Sequence, residues 1–159
     1  MARISEKEET VRIVLDLVCP ITGKAFLRSG TTSAHILYAY AEGELTESRA
    51  NRVRTALDAF VEGRFWTVPD VWIVDYAADM EHDRDQQVGL NIELPDVGME
   101  RPGWFHDVEE TVEFLSQLSA EIGCTFAIGM GTANGVAEDL FFVSAAPPDL
   151  FELRQILGV

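Results

Sequence analysis

The chain has 159 residues, of which 47% are hydrophobic, and carries a formal net charge of −15 at pH 7. That length and mix fit one globular domain that can bury a core without disulfides or a structural metal. The charge opposes nucleic-acid backbones and anionic membrane surfaces, and no apolar run approaches the roughly 20 residues of a membrane span.

Residues 1–8 are polar and terminal, so a flexible N-terminus is expected there, with a single domain over 9–159. The opening MARISEKEET has no apolar stretch of the signal-peptide kind. The expected compartment is therefore the cytoplasm, with Cys19 and Cys124 reduced and serving as small buried hydrophobes. A disulfide between them is geometrically open.

Residues 10–18 alternate, with Val11, Ile13, Leu15 and Leu17 on one side, which favours a strand. Pro20 and Gly23 mark a turn, and 25–28 suits a short second strand paired back through it. Thr31, Thr32 and Ser33 suit helix N-caps and Gly43 a C-cap, so 34–42 is expected to be a short helix. Ile36, Tyr38 and Tyr40 would equally suit a strand.

Thr46 caps a clearer helix, whose Ala50, Val53, Leu57, Phe60 and Val61 trace one face before Gly63 ends it. Residues 71–76 read as a strand, 79–87 as a polar loop and 88–94 as a half-buried strand. Pro95, Gly98, Pro102 and Gly103 then make a loop. Asp107 and Glu110 form a capping-box pattern at the head of a helix with Val108, Val112, Leu115, Leu118 and Ile122 inward, stopped by Gly123. Residues 124–130 and 138–144 read as paired strands with Asn134-Gly135 turning between them. Pro147 and Pro148 open a last helix carrying Leu150, Leu153, Ile156 and Leu157. The expected class is α+β, a mainly antiparallel sheet with helices packed on one face, in the order β(β)ααββαββα.

Asp75, Asp79, Glu81, His82, Asp83 and Asp85 form the densest polar cluster. It can be a solvated loop, a contact surface for a basic partner, or a hard-cation site, although its spacing lacks the glycine and terminal glutamate of an EF-hand. His35, His82 and His106 sit in no metal-binding motif. Gly129, Gly131 and Gly135 do not keep dinucleotide-fingerprint spacing and favour a hairpin. Gly23-Lys24 lacks the rest of a P-loop, and no serine has a G-x-S-x-G setting. Trp72 belongs to an apolar strand, whereas Trp104 and Phe105, in a Pro/Gly-bounded loop, suit either an interface anchor or a cover over the core.

The segment from His35 through Phe60, containing AYAEGELTESRANRVRTAL, resembles the helical hairpin of zinc-binding anti-sigma domains. Those domains pair a histidine with a C-x-x-C, and no such pair follows Phe60, so the resemblance implies helix–turn–helix geometry without the zinc site.

The leading expectation is a non-enzymatic acidic domain that binds a basic protein, either neutralising it as a bacterial toxin-immunity protein does or escorting it as a secretion chaperone does. Secretion chaperones share a helix, strands, helix, strands, helix order, from which the long N-terminal extension here departs. The contact residues expected are Asp79, Glu81, Asp83, Asp85, Trp104 and Phe105. No catalytic residue, metal or cofactor is assigned, and nucleic-acid and membrane partners are not expected; self-association stays open. The alternatives are an enzyme with a dispersed Asp/Glu/His site and a small-ligand-binding domain.

Overall fold

A computed structural model describes residues 35–81, 86–132 and 136–159. The expected strands over 10–18 and 25–28, and the acidic residues Asp83 and Asp85, lie outside the described residues. Among the described residues five strands and three helices follow one another: β1 (His35–Ala41), α1 (Glu47–Glu62), β2 (Asp70–Tyr76), β3 (Gln87–Glu93), α2 (Trp104–Ile122), β4 (Phe126–Thr132), β5 (Ala137–Val143) and α3 (Leu150–Leu157). The strands form one sheet in the order β2-β3-β1-β4-β5, with every neighbouring pair antiparallel. This is the expected α+β class. Each helix–strand–strand unit supplies one wing, and β1 joins the wings at the centre.

The expected helix over 34–42 is a strand. HILYAYA pairs with β3 on one side and β4 on the other, so both backbone edges of β1 are satisfied by its neighbours. The helix–turn–helix geometry implied by the anti-sigma resemblance falls with it, since His35 through Phe60 is a strand followed by one helix.

Helix α1 starts where the sequence placed it. The Thr46 hydroxyl accepts from the Arg49 N–H at 3.3 Å, and Ala50, Val53 and Leu57 turn inward. Helix α2 starts earlier than expected. Its N-cap is Gly103, in the left-handed region at φ 89°, and Trp104 and Phe105 belong to its first turn. Asp107 is thus no N-cap but a buried residue one turn inside. Helix α3 is capped by Asp149, which accepts from the N–H groups of Phe151 and Glu152 at 3.0 Å.

Alternate strand residues meet the helices, following the two-residue period of a strand. Leu37 and Ala39 of β1, Val88, Leu90 and Ile92 of β3, and Phe126 and Ile128 of β4 form one core with Val53, Leu57, Val108, Val112, Leu115 and Leu153. Each fully buried aliphatic side chain in such a core contributes about 1.5–3 kcal/mol. The Ser116 hydroxyl donates to the carbonyls of Ser144 and Ala146, which ties α2 to the segment leading into α3.

Candidate protein-binding surfaces

Among the described residues, the expected contact residues Asp79, Glu81, Trp104 and Phe105 do not form one patch. Asp79 and Glu81 lie beyond the C-terminal end of β2, where the half-buried Asp79 carboxylate accepts the N–H of the exposed Glu81 at 3.1 Å. Trp104 and Phe105 open α2, whose Asp107 binds Thr67, just before the N-terminal end of the same strand. Seven strand residues at about 3.3 Å each put the acidic tip and the aromatic pair about 20 Å apart. Asp75 from the same acidic run faces α1 instead, where Arg54 holds it at 2.8 Å.

The aromatic pair divides its work. Phe105 is buried in the core and covered by the Arg154 guanidinium, 4.6 Å from the ring centroid. Trp104 is half-buried and meets Phe105 edge-on at 5.7 Å. Around them Glu100, Arg101, His106, Glu109 and Arg154 line a shallow concavity of about 450 Å³. Arg154 also pairs with Glu109 at 2.7 Å, and His106 lies 3.3 Å from Glu110. A smaller hollow of about 180 Å³ separates the end of β5 from Pro147, Pro148 and α3.

The sequence offered no signal for the buried carboxylate of Asp107 as an organising group. One of its oxygens accepts from the Thr67 N–H at 2.6 Å, the Thr67 hydroxyl at 2.7 Å and the Val68 N–H at 3.1 Å. The other accepts from Arg64 at 2.9 Å, and Arg64 also pairs with Glu110. The Arg64 guanidinium in turn lies 4.4 Å from the Trp66 ring centroid and 5.3 Å from that of Phe60. This cluster fixes the α1–β2 connection to α2 and is built for stability.

On the face of the sheet turned away from the core, one row crosses all five strands: Trp72, Asn91, Tyr38, Gly129 and Asp139. In the amide orientation that satisfies both groups, the Asn91 oxygen accepts from Trp72 Nε1 at 3.2 Å. The register shift after Ile128 leaves Leu140 as an extra residue in β5, a bulge that returns Asp139 to the same face as Tyr38. Tyr38 then reaches across Gly129, where any Cβ would collide with its ring, and donates to Asp139 at 2.7 Å. Tyr40 stacks on Tyr38 at 5.6 Å and donates to the same carboxylate at 3.3 Å.

Burial first, and then the charge and hydrogen bond of Asp139, push the Tyr40 phenol above its ordinary value of 10.0. A raised phenol favours the folded state up to the ordinary value, and that contribution fades as pH rises through the folded one. In a titration followed by tyrosinate absorbance, Asp139→Asn is expected to move Tyr40 only part of the way back, because burial remains. An unshifted curve would show that Asp139 does not act on Tyr40. Cys124 is a buried free thiol whose pKa burial also pushes up, partly offset by Arg49.

Charge is the other shared property of these surfaces. The first 34 residues hold five of the twelve basic and four of the 27 acidic residues, so they are net +1 while residues 35–159 are net −16. Within the described residues Arg54, Arg64 and Arg154 are engaged by Asp75, Asp107, Glu110 and Glu109. Glu44, Glu47, Asp58, Glu81, Glu100, Glu121 and Glu138 are among the carboxylates facing solvent. No helix among the described residues is long and apolar enough to cross a membrane, and no group of three or more His, Cys, Asp or Glu among them is placed to hold a metal. No family model matches the chain, and no curated protein or solved structure matches it.

Proposed function

We propose that the protein binds a basic protein partner, either neutralising it in the manner of a toxin-immunity protein or escorting it in the manner of a secretion chaperone. The observation that supports this reading is the net charge of −16 on residues 35–159, combined with arginines committed to internal pairs. Such a body attracts a cationic surface over several ångströms and repels polyanions. Half-buried Asp79 and exposed Glu81, beyond β2, and Trp104, half-buried beside a shallow concavity, are two distinct contact regions that one partner could span.

The test is capture from the native host with elution by rising salt, followed by binding of the recovered protein as a purified sample. The expected result is one basic protein whose affinity falls at least about tenfold between roughly 50 and 500 mM salt. Asp79→Asn with Glu81→Gln should weaken it further at low salt than at high salt. Association that ignores salt would sink the electrostatic account.

A further inference from the structure

Strand β5 is an edge of the sheet, paired among the described residues with β4 alone. An edge strand offers a row of N–H and C=O groups that a further strand can take up, and proteins blunt such edges with lysine, proline, a bulge or a covering helix. AEDLFFV holds neither lysine nor proline. Its bulge at Leu140 blunts the first half and leaves Phe141–Val143 regular. Apolar groups stand open along this edge: Phe142 is 56% exposed, and Val136, just before the strand, 67%. The other edge is guarded, because α1 packs against β2 and the Arg54–Asp75 pair ties the two together. The regular half of β5 borders the hollow of about 180 Å³ lined by Phe141, Pro147, Pro148, Glu152 and Leu153. That is below the roughly 300–1,000 Å³ of a small-molecule site and suits a single side chain.

We infer that β5 takes an extended, basic segment of the protein partner as a further strand, with one of its apolar side chains in the hollow. The inference rests on the basic-partner reading above and gives the partner's main chain a third contact region. Charge selects the occupant. Residues 136–153 contain Glu138, Asp139, Asp149 and Glu152 and no lysine, arginine or histidine. All four of these acidic residues are exposed. In strand addition, main-chain hydrogen bonds supply the affinity and alternate side chains the specificity. Arginine or lysine on the added strand meets these carboxylates, and the residues between meet Phe142 and the hollow. A second copy of the chain is the poorer occupant, because it would set the same carboxylates against its own on bodies of net charge −15.

The probe is a labelled peptide of alternating arginine and valine, about seven residues long to match β5. Its control is the same peptide N-methylated throughout, which keeps the charge and removes every main-chain donor. Binding to the full chain is followed by fluorescence anisotropy and by amide hydrogen exchange. Exchange is expected to slow at 141–143 and not in β2, and the N-methylated peptide to bind at least about tenfold more weakly. Two charge-matched variants separate the edge from the net charge. Glu138→Gln with Glu152→Gln removes two charges at the edge, and Asp58→Asn with Glu62→Gln removes two from α1 on the other wing. The first pair should weaken the plain peptide severalfold more than the second. Equal weakening by the two pairs, or equal binding of the two peptides, would overturn the inference and leave the basic-partner reading standing on net charge. Exchange slowed in β2 instead would overturn it as well. If neither peptide binds, β5 is no docking strand, and the salt-eluted partner decides the basic-partner reading on its own. A chain that is dimeric without peptide and monomeric as Phe142→Asp would put a second copy on the edge, which also overturns the inference.

Discussion

Asp107→Ala is expected to destabilise the protein by about 3–5 kcal/mol, the cost of removing one partner from a buried charged cluster. The substitution strips the acceptor from the N–H groups of Thr67 and Val68 and from the Thr67 hydroxyl. Among the described residues it also leaves Arg64 with Glu110 alone as a carboxylate partner, in a site where the Arg64 side chain is 18% exposed. Buried donors left without acceptors carry their full desolvation cost. For a domain of this size the loss corresponds to a fall in Tm of roughly 10 °C or more. Thermal and urea denaturation of the full chain would measure it. Arg64→Ala should cost less, because Asp107 keeps three of its four hydrogen bonds. A double-mutant cycle then gives the coupling of the pair. If Asp107→Ala unfolds with wild-type stability, the carboxylate does not organise the α1–β2 connection.

How far the fold could be read from the residues depended on whether the cause was local. Helix α1 was legible because its cap, its apolar spacing and its terminal glycine all lie within Thr46 to Gly63. Strand β1 was misread because both of its faces are buried, so HILYAYA shows the near-continuous apolar run that a buried helix also shows. Thr31 to Ser33 and Gly43 then supplied false caps. At Asp107 the spacing to Glu110 imitated a capping box, but Glu110 turns to Arg64 and Asp107 to Thr67, forty residues away. The bulge at Leu140 has no marker in AEDLFFV, and strict alternation would put Asp139 on the helix side, away from Tyr38. The acidity of the surface was plain from composition. That its aromatic and acidic elements fall at opposite ends of β2 follows only once the contact of Asp107 with Thr67 is known.

Gly89→Ala is expected to be the most damaging single-methyl change on the sheet. Gly89 sits in β3 directly opposite Tyr40 of β1 and Val74 of β2. A Cβ built there would lie 2.6 Å from Tyr40 Cα and within the radius of the Ala39 carbonyl oxygen. Both are backbone atoms of the central strand, which is fixed by ladders on two sides and cannot yield as a flexible side chain can. Glycine within a strand marks such close backbone approaches. Overpacking into a well-filled interior costs about 1–3 kcal/mol and more where the obstacle is rigid. The upper end or beyond is expected here, because relief requires β1 and β3 to separate along a shared seam. Amide hydrogen exchange separates this cause from a general loss of stability. Under native conditions protection should fall first at Leu90 and at Ala39, flanking the seam, while α2 keeps its protection. Gly43→Ala is the comparison. At φ 84° it strains the backbone of an exposed turn but meets no neighbour within 4 Å, so its cost should be smaller and confined to the loop before α1. Equal losses from the two changes would mean that backbone strain, and not contact with β1, governs the tolerance of glycine substitution in this sheet.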